Sequence, residues 1–312
     1  MRVLPILAGG TGMVFVGGSV AVSGVLADAP LFTVQSLRYA VACLLLLGYA
    51  RLVRTRLLVP RGAEWWWLLG VTVAGLLIFN VALVHGAKHA EPAVLGVAVA
   101  GVPILLAVIG PLLEGHTPAP RVLAAAAVVT LGAGLVQGLG RADGVGLAWA
   151  VVTFACEAGF TLMAVPLLGR HGPLGVSVHT TGLAALMFGL AGLGWEGPSA
   201  VTRLRADDLL AAAYLAILVT AVAFVLWYTC VERLGAGPAG LLTGVAPVAA
   251  AVTGVALGGP VPRPLVWVGV ATVAAGLALG LRGPQRRRQG GIRLRRRADT
   301  PAPASPVDRI AA

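Results

Sequence analysis

Glu157 stands in TFACEAGFTL, residues 153 to 162, an apolar run that needs no acid to form a helix. An ionisable side chain in such a run costs about 2.5–3.5 kcal/mol if the run crosses a bilayer, so one that persists faces a cavity or a partner. Two more residues pose the same question: Arg38 in QSLRYAVACLLLL and His179 in GVSVHTTGLAAL. A carboxylate in a wet pocket can take up a proton or hold a cationic group. A guanidinium can hold an anionic group or pair with that carboxylate. Gln35 one turn from Arg38, Asn80, Thr180 beside His179, and Trp227 with Tyr228 are the polar and aromatic candidates for lining the same pocket. Two readings stay open for the acid and the arginine: a binding or proton-coupling site, or a static buried pair. His179 has the plain alternative of a satisfied interior histidine, Thr180 that of helix glue, and Trp227 and Tyr228 that of interface anchors.

These residues need elements to position them, and the composition says which. Of 312 residues 58% are hydrophobic and 11% charged, with a mean hydropathy of +0.91, far from the average soluble domain. The expected fold is an all-α integral membrane protein. A crossing of about 30 Å of hydrocarbon takes about 20 apolar residues, and ten spans fit, at 5–26, 30–50, 64–86, 92–113, 121–139, 145–168, 173–194, 209–231, 237–258 and 264–281. At 1.5 Å per residue, Glu157 lies about 18 Å and Arg38 about 12 Å from the outer edge. His179 lies about 21 Å from it. The three meet only if their helices are neighbours.

Orientation follows from arginine and lysine, because short basic loops stay cytoplasmic. With the N-terminus inside, Arg2, Arg51, Arg54, Arg56, Arg61, Arg121, Arg170 and Arg233 are internal, against Lys88, Arg141, Arg203, Arg205 and Arg263 outside. Both termini are then cytoplasmic. The net charge of +11 is concentrated at the end: nine of 23 basic residues fall at or after Arg282. Residues 283–312 are too poor in apolar groups to fold and read as a disordered tail lying on anionic headgroups; no nucleic-acid partner is needed to explain them. Cys43, Cys156 and Cys230 lack the spacing of a disulfide framework or a metal site. The first apolar stretch is longer than a signal-peptide core and reads as an uncleaved span.

The chain also repeats itself. A shift of 144 residues aligns GVAVAGVPILLAVIGPLLEGHTPAPRVLAAAAVVTLGAGL (96–135) with GLLTGVAPVAAAVTGVALGGPVPRPLVWVGVATVAAGLAL (240–279) without a gap. Alanine and valine coincidences carry little in such a composition. The backbone-shaping residues decide it: Gly96 with Gly240, Pro103 with Pro247, Gly110 with Gly254, Gly115 with Gly259, Pro118 with Pro262, Pro120 with Pro264, and Gly132 with Gly276. Two repeats of five spans follow, at 1–141 and 142–282. Five is odd, so the second enters the membrane from the opposite side. Inverted repeats of this kind are a transporter architecture in which two halves exchange conformations around a central site. Pro103 and Pro247 each remove a helix hydrogen bond and are candidate kink or gating positions.

At these residues the chain resembles the drug/metabolite transporter superfamily in its EamA-type branch. FNVALVHGAKHAEPAVLGVAVAGVPILLAVIGPLLEGHTPAPRVLAAAAVVTLGAGL is similar to that family's third to fifth helices, with Pro103 in mid-helix and Glu114 in the loop after helix four. AFVLWYTCVERLGAGPAGLLTGVAPVAAAVTGVALGGPVPRPLVWVGVATVAAGLALG repeats the pattern, and Arg38, shortly after Pro30, resembles the family's arginine in helix two. The likeness covers residues 5 to 282. It departs at one point: the family carries the loop glutamate in both halves, whereas Gly258 stands opposite Glu114 here.

The resemblance implies a secondary transporter of a small metabolite or drug, often an exporter, with a small-molecule cargo and no cofactor or metal. Proton coupling fits Glu157, and a homodimer is left open. The usual membrane for such an Arg-, Ala- and Gly-rich chain is a bacterial plasma membrane. An enzyme acting on lipid-linked substrate would need acids, histidines or arginines clustered at one membrane face, and a scaffold would need no inverted repeat. No Walker A, HExxH or GxSxG pattern is present.

Overall fold

The computed structural model describes residues 3–23, 25–26, 28–258 and 261–281. The chain divides into Met1–Arg282 and Gly283–Ala312; the expected basic tail lies outside the described residues. Among its described residues the first unit holds ten long helices: α1 Val3–Ser23, α2 Leu31–Leu52, α3 Glu64–Gly86, α4 Pro92–Leu113, α5 Pro120–Gln137, α6 Gly144–Leu162, α7 Val165–Trp195, α8 Ala206–Leu234, α9 Ala236–Ala256 and α10 Pro264–Leu281. Helices α2 to α10 are long and apolar enough to cross a bilayer, and α1 is apolar over Val3–Ser19. Proline opens α4, α5 and α10, where its missing N–H has no helical partner to lose. The Asp143 carboxylate caps α6 by accepting from the Gly146 N–H at 2.7 Å.

Several ends differ from the sequence reading. The sixth helix stops at Leu162 rather than 168, because Met163 and Ala164 form a turn and Pro166 opens the next helix. A continuous apolar run conceals such a turn. Helix α7 therefore starts early and breaks at Gly172, whose φ of 64° is a left-handed conformation, before resuming at Pro173. Pro103 and Pro247 do sit at interruptions. Helix α4 changes course at Gly101, just before its second segment carries Pro103, and α9 passes through a 3₁₀ turn at Leu241–Gly244 just before Pro247.

The fold consists of two repeats, α1–α5 and α6–α10, and its packing shows the relation. Exchanging each helix with the one five places away turns α1 on α8 into α6 on α3, α1 on α9 into α6 on α4, and α2 on α8 into α7 on α3; all are observed, while α2 on α7, α4 on α9 and α5 on α10 map onto themselves. Finer details agree. Helix α3 widens to a π register at Val73–Ile78 and α8 at Leu215–Val222, with the Phe79 N–H reaching Ala74 O and the Ala223 N–H reaching Leu218 O, each 144 residues apart. The start of each of these helices uses one device: the Arg61 N–H donates to Glu64 Oε2 at 2.7 Å, and the Arg205 N–H donates to Asp208 Oδ2 at 2.8 Å.

The helices α5 and α10 touch through glycine. A Cβ on Gly132 would lie 2.7 Å from Val273 N, and one on Gly269 would lie 2.7 Å from Gly132 O. In lipid, where apolar burial does not drive helices together, such close backbone approach supplies the attraction. The packed centre of the bundle holds Tyr39, Leu106, Leu167, Phe188 and Tyr228, all fully buried.

Candidate functional site

Between the repeats, at membrane depth, lies a cavity of about 110 Å³ lined by Met13 and Val16 of α1, Arg38 and Tyr39 of α2, Gly75, Leu76, Phe79 and Asn80 of α3, Glu157 and Phe160 of α6, and Val219, Ala223, Phe224 and Trp227 of α8. Two larger hollows, of about 350 and 430 Å³, flank α6. They are apolar, on the outward side of Leu147, Val151 and Trp149, and hold no titratable group. The smaller cavity is the one with chemistry in it.

Glu157 lines this cavity and makes no hydrogen bond or ion pair with any described residue. Arg38 lines it too, and no carboxylate among the described residues pairs with it. Its Nε–H donates to Thr220 Oγ1 at 2.8 Å, its Nη1–H donates to Gln35 Oε1 at 3.3 Å, and its guanidinium carbon sits 5.1 Å from the centre of the Tyr39 ring. The two charged groups share a pocket without touching. Counted along their helices from the face where α6 begins, Arg38 is seven residues in and Glu157 thirteen, a difference in depth of about 9 Å.

Of the other expected residues, Asn80 and Trp227 line the cavity, and the Trp227 indole N–H donates to Thr161 Oγ1 at 3.0 Å. Gln35 is buried just behind, its Nε2–H donating to Asn80 Oδ1 at 2.8 Å. Tyr228 is fully buried and does not line the cavity; its hydroxyl donates to Phe160 O at 3.4 Å, and its ring meets the Phe160 ring tilted and the Phe224 ring edge-on. His179 and Thr180 are not brought to the cavity. The comparable depth of His179 leaves its direction to its helix neighbours, and these turn its ring toward His171, with centroids 5.5 Å apart, and its Nδ1 toward Gly175 O at 2.7 Å. Thr180 spends its hydroxyl on the backbone of its own helix, at Val176 O and Ser177 O.

Thr220, Thr161 and the aromatic wall of Phe79, Phe160 and Phe224 belong to the site and are not singled out by the sequence. A threonine that bonds across helices looks like one that bonds its own backbone until its neighbours are known. The 144-residue shift contains one usable signal, since Thr220 stands opposite Leu76, and both anchor the polar groups of the cavity.

Polar contacts on the two faces hold the ends together. On the face where α1 begins, Glu64 holds Arg170 and also meets His171 Nε2 at 3.2 Å, and Glu114 Oε1 accepts from the Ala236 N–H at 2.7 Å. Burial pushes the Glu114 carboxyl above its ordinary pKa, and that hydrogen bond partly opposes the shift. Helix α4 ends with Gly115 at φ 75° and α9 with Gly258 at φ 87°, so the structural counterpart of Glu114 is Leu257, one residue before the Gly258 expected. On the opposite face Glu196 caps α2, accepting from the Phe32 and Thr33 N–H groups at 2.9 and 2.8 Å. There too Arg141 pairs with Glu91 and His89 with Asp143. Hydrogen bonds from Arg141 to Glu91, and from the Gly146 N–H and His89 to Asp143, hold both carboxyls below their ordinary range.

Among the described residues no three of His, Cys, Asp and Glu are grouped to hold a metal ion.

Known proteins place this arrangement. A Bacillus subtilis (strain 168) protein described as the uncharacterized transporter YetK is 25% identical over 288 residues, which is 85% of this chain and 83% of its own length. A solved crystal structure shares the fold with a TM-score of 0.75 at 19% identity, over 89% of this chain and 96% of its own. The model of the EamA-like transporter family matches twice, at residues 4–137 and 144–282, so the chain is a membrane protein that belongs to the EamA-like transporter family.

Proposed function

We propose that this chain is a secondary transporter that moves a small metabolite or drug across a bacterial plasma membrane by alternating access, as an exporter, with Glu157 as its proton- or cation-binding group. The observation that carries the reading is the cavity itself. An acid without a partner and an arginine without a counter-ion, among the described residues, face one space between two repeats, at a depth where neither is stable without a cavity or a ligand. A static buried pair would bring Glu157 and Arg38 into contact, and they are apart.

At about 110 Å³ the cavity is smaller than the roughly 300–1,000 Å³ of ordinary small-molecule pockets. This conformation is contracted, and cargo entry requires the helices around it to part. The interruptions at Gly101 and at Leu241–Gly244, with Pro103 and Pro247 just beyond, supply α4 and α9 with places to bend. Export is the direction that the likeness to the drug/metabolite transporters supports. The bias of Arg and Lys toward the loops on the face where α1 begins supports a cytoplasmic placement of that face and of both termini.

Counterflow of labelled metabolites in proteoliposomes tests the reading, with a panel of acids, amines and neutral compounds as cargo. Wild-type protein is expected to exchange at least one of them and to respond to an imposed pH gradient, while Glu157→Gln keeps exchange at equilibrium but loses the pH response. Unchanged pH dependence in Glu157→Gln sinks the coupling role; no exchange with any compound sinks the transporter reading.

A further inference from the structure

Gln35 and Asn80 do more than fill the wall behind Arg38. Asn80 Nδ2–H donates to Leu76 O at 2.7 Å and to the Tyr39 hydroxyl at 3.2 Å. Asn80 Oδ1 accepts from Gln35 Nε2–H at 2.8 Å, and Gln35 Oε1 accepts from Arg38 Nη1–H at 3.3 Å. The direction of this chain is forced from both ends. A guanidinium only donates, so Gln35 must present its oxygen to Arg38 and its NH₂ to Asn80; a backbone carbonyl only accepts, so Asn80 must present its NH₂ to Leu76 and its oxygen to Gln35. Each end alone fixes the orientation of both amides, and the two agree.

The chain starts and stops at equivalent places. Leu76 lies in the π turn of α3 and Thr220, which takes the Arg38 Nε–H, lies in the π turn of α8; the two residues are 144 apart, Leu76 accepting through its backbone carbonyl and Thr220 through its side-chain hydroxyl. Arg38 is thereby strung between the two repeats, with the Tyr39 ring against it and Phe188 of α7 stacked on that ring at 5.5 Å. Held by Nε and by Nη1, the guanidinium makes no contact with Glu157. The rest of its planar fork has no acceptor among the described residues, and the fork geometry matches a carboxylate.

We infer that Gln35 and Asn80 are positioning residues, an amide relay from the π turn of α3 that aims Arg38 into the cavity as a receptor for a carboxylate on the cargo. The inference rests on the transport reading for its purpose, and it adds a cargo class: acids bearing an apolar body, which Met13, Phe79 and Phe224 would cover. Uncharged analogues of the same shape would be refused.

The test uses the full chain in detergent, with benzoate and its neutral analogue benzamide as probes. p-Hydroxyphenylglyoxal modifies accessible guanidinium groups, and peptide mass spectrometry follows Arg38 separately, with exposed Arg54 as internal reference. Benzoate at millimolar concentration is expected to slow modification of Arg38 and not of Arg54, and benzamide to slow neither. Asn80→Leu, which cuts the relay, is expected to raise the half-protecting benzoate concentration at least tenfold. Gln35→Glu, nearly the same shape, gives Arg38 a carboxylate of its own and is expected to remove benzoate protection altogether, which decides the matter even if Asn80→Leu folds poorly. Failure of benzoate to protect Arg38 in the wild type overturns the inference, as does equal protection in wild type and Gln35→Glu. Either result leaves counterflow untouched, so failure of the relay is distinguishable from failure of the transporter reading.

Discussion

Glu114 shows how one carboxyl can be both a fastener and a burden. It joins the end of α4 to the start of α9 through the Ala236 N–H, and it does so beside Gly235, where a Cβ would lie 2.8 Å from its Oε2. Burial raises its pKa in the folded protein, so above that raised value the fold must hold a charge that the unfolded chain would hydrate. The penalty is present at neutral pH and absent below the ordinary glutamate range, where both states are protonated. Glu114→Gln keeps an oxygen for Ala236 and removes the charge. It is therefore expected to melt higher than wild type at pH 7 and to lose that advantage as the pH falls toward 4, read by thermal unfolding in detergent across that range; a constant difference would show that charge is not what burial opposes. Residue-level reading of the sequence reaches Arg38, Glu157, Asn80 and Trp227, because an ionisable or polar group in an apolar run has a cost that demands an explanation. It assigns Gln35 to the cavity wall, whereas the structure sets it one step behind. It groups His179 with Glu157 on depth alone, and depth leaves the direction of a side chain around its helix undetermined.

At the scale of elements, close approach replaces apolar burial as the source of order, and it makes a sharp demand on size. The Gly132 and Gly269 backbones leave no room for a methyl group, since the atoms in the way are main-chain atoms of the facing helix, which cannot rotate aside. Gly132→Ala or Gly269→Ala is expected to destabilise the protein by about 1–3 kcal/mol, seen as a lower melting temperature, whereas Gly134→Ala on the same helix as Gly132, with nothing within 4 Å of the added atom, should melt like wild type. Equal effects at Gly132 and Gly134 would mean that contact with the facing backbone does not set the cost. Hydropathy places most of the ten elements to within a few residues, because the bilayer fixes their length and proline and charge mark their ends. It overruns the ends of the first and sixth helices for a local reason. The apolar run continues past the described α1, Val3–Ser23, and the Met163–Ala164 turn is as apolar as the helices it joins. The π turns are invisible to hydropathy for a similar cause: inserting one residue into a helix of uniform composition leaves the pattern unchanged, although Thr220, which accepts from Arg38, lies in one of them.

For the molecule as a whole, the duplication is what ties the sequence to the proposed mechanism, since the packing of α1 on α8 and α9, and of α2 on α8, is accompanied by its image in the other repeat. A difference in shape between the halves can then be passed from one to the other at little net cost, because the packing that one repeat gives up is of the same kind as the packing its partner takes on. The bonds on the two faces divide accordingly. Glu64 with Arg170 and Glu114 with Ala236 fasten the face where α1 begins, and Glu196 with Phe32 and Thr33 fastens the other; under the proposed alternating access, opening to one side would break one set and keep the other. This scheme depends on which loops share a side. Thr55 follows α2 and Thr202 follows α7, both exposed, and an inverted second repeat puts these loops on opposite faces even though each ends the second helix of its repeat. Cysteines introduced singly at Thr55 and Thr202, in a chain lacking Cys43, are expected to react with an impermeant maleimide from the cytoplasmic side for Thr55→Cys and from the external side for Thr202→Cys in intact cells and inside-out vesicles. Labelling of both from one side would break the inversion. Reversed labelling would keep the inversion and turn the molecule over, placing the Glu64 and Glu114 contacts on the external face and the Glu196 contact at the cytoplasmic one.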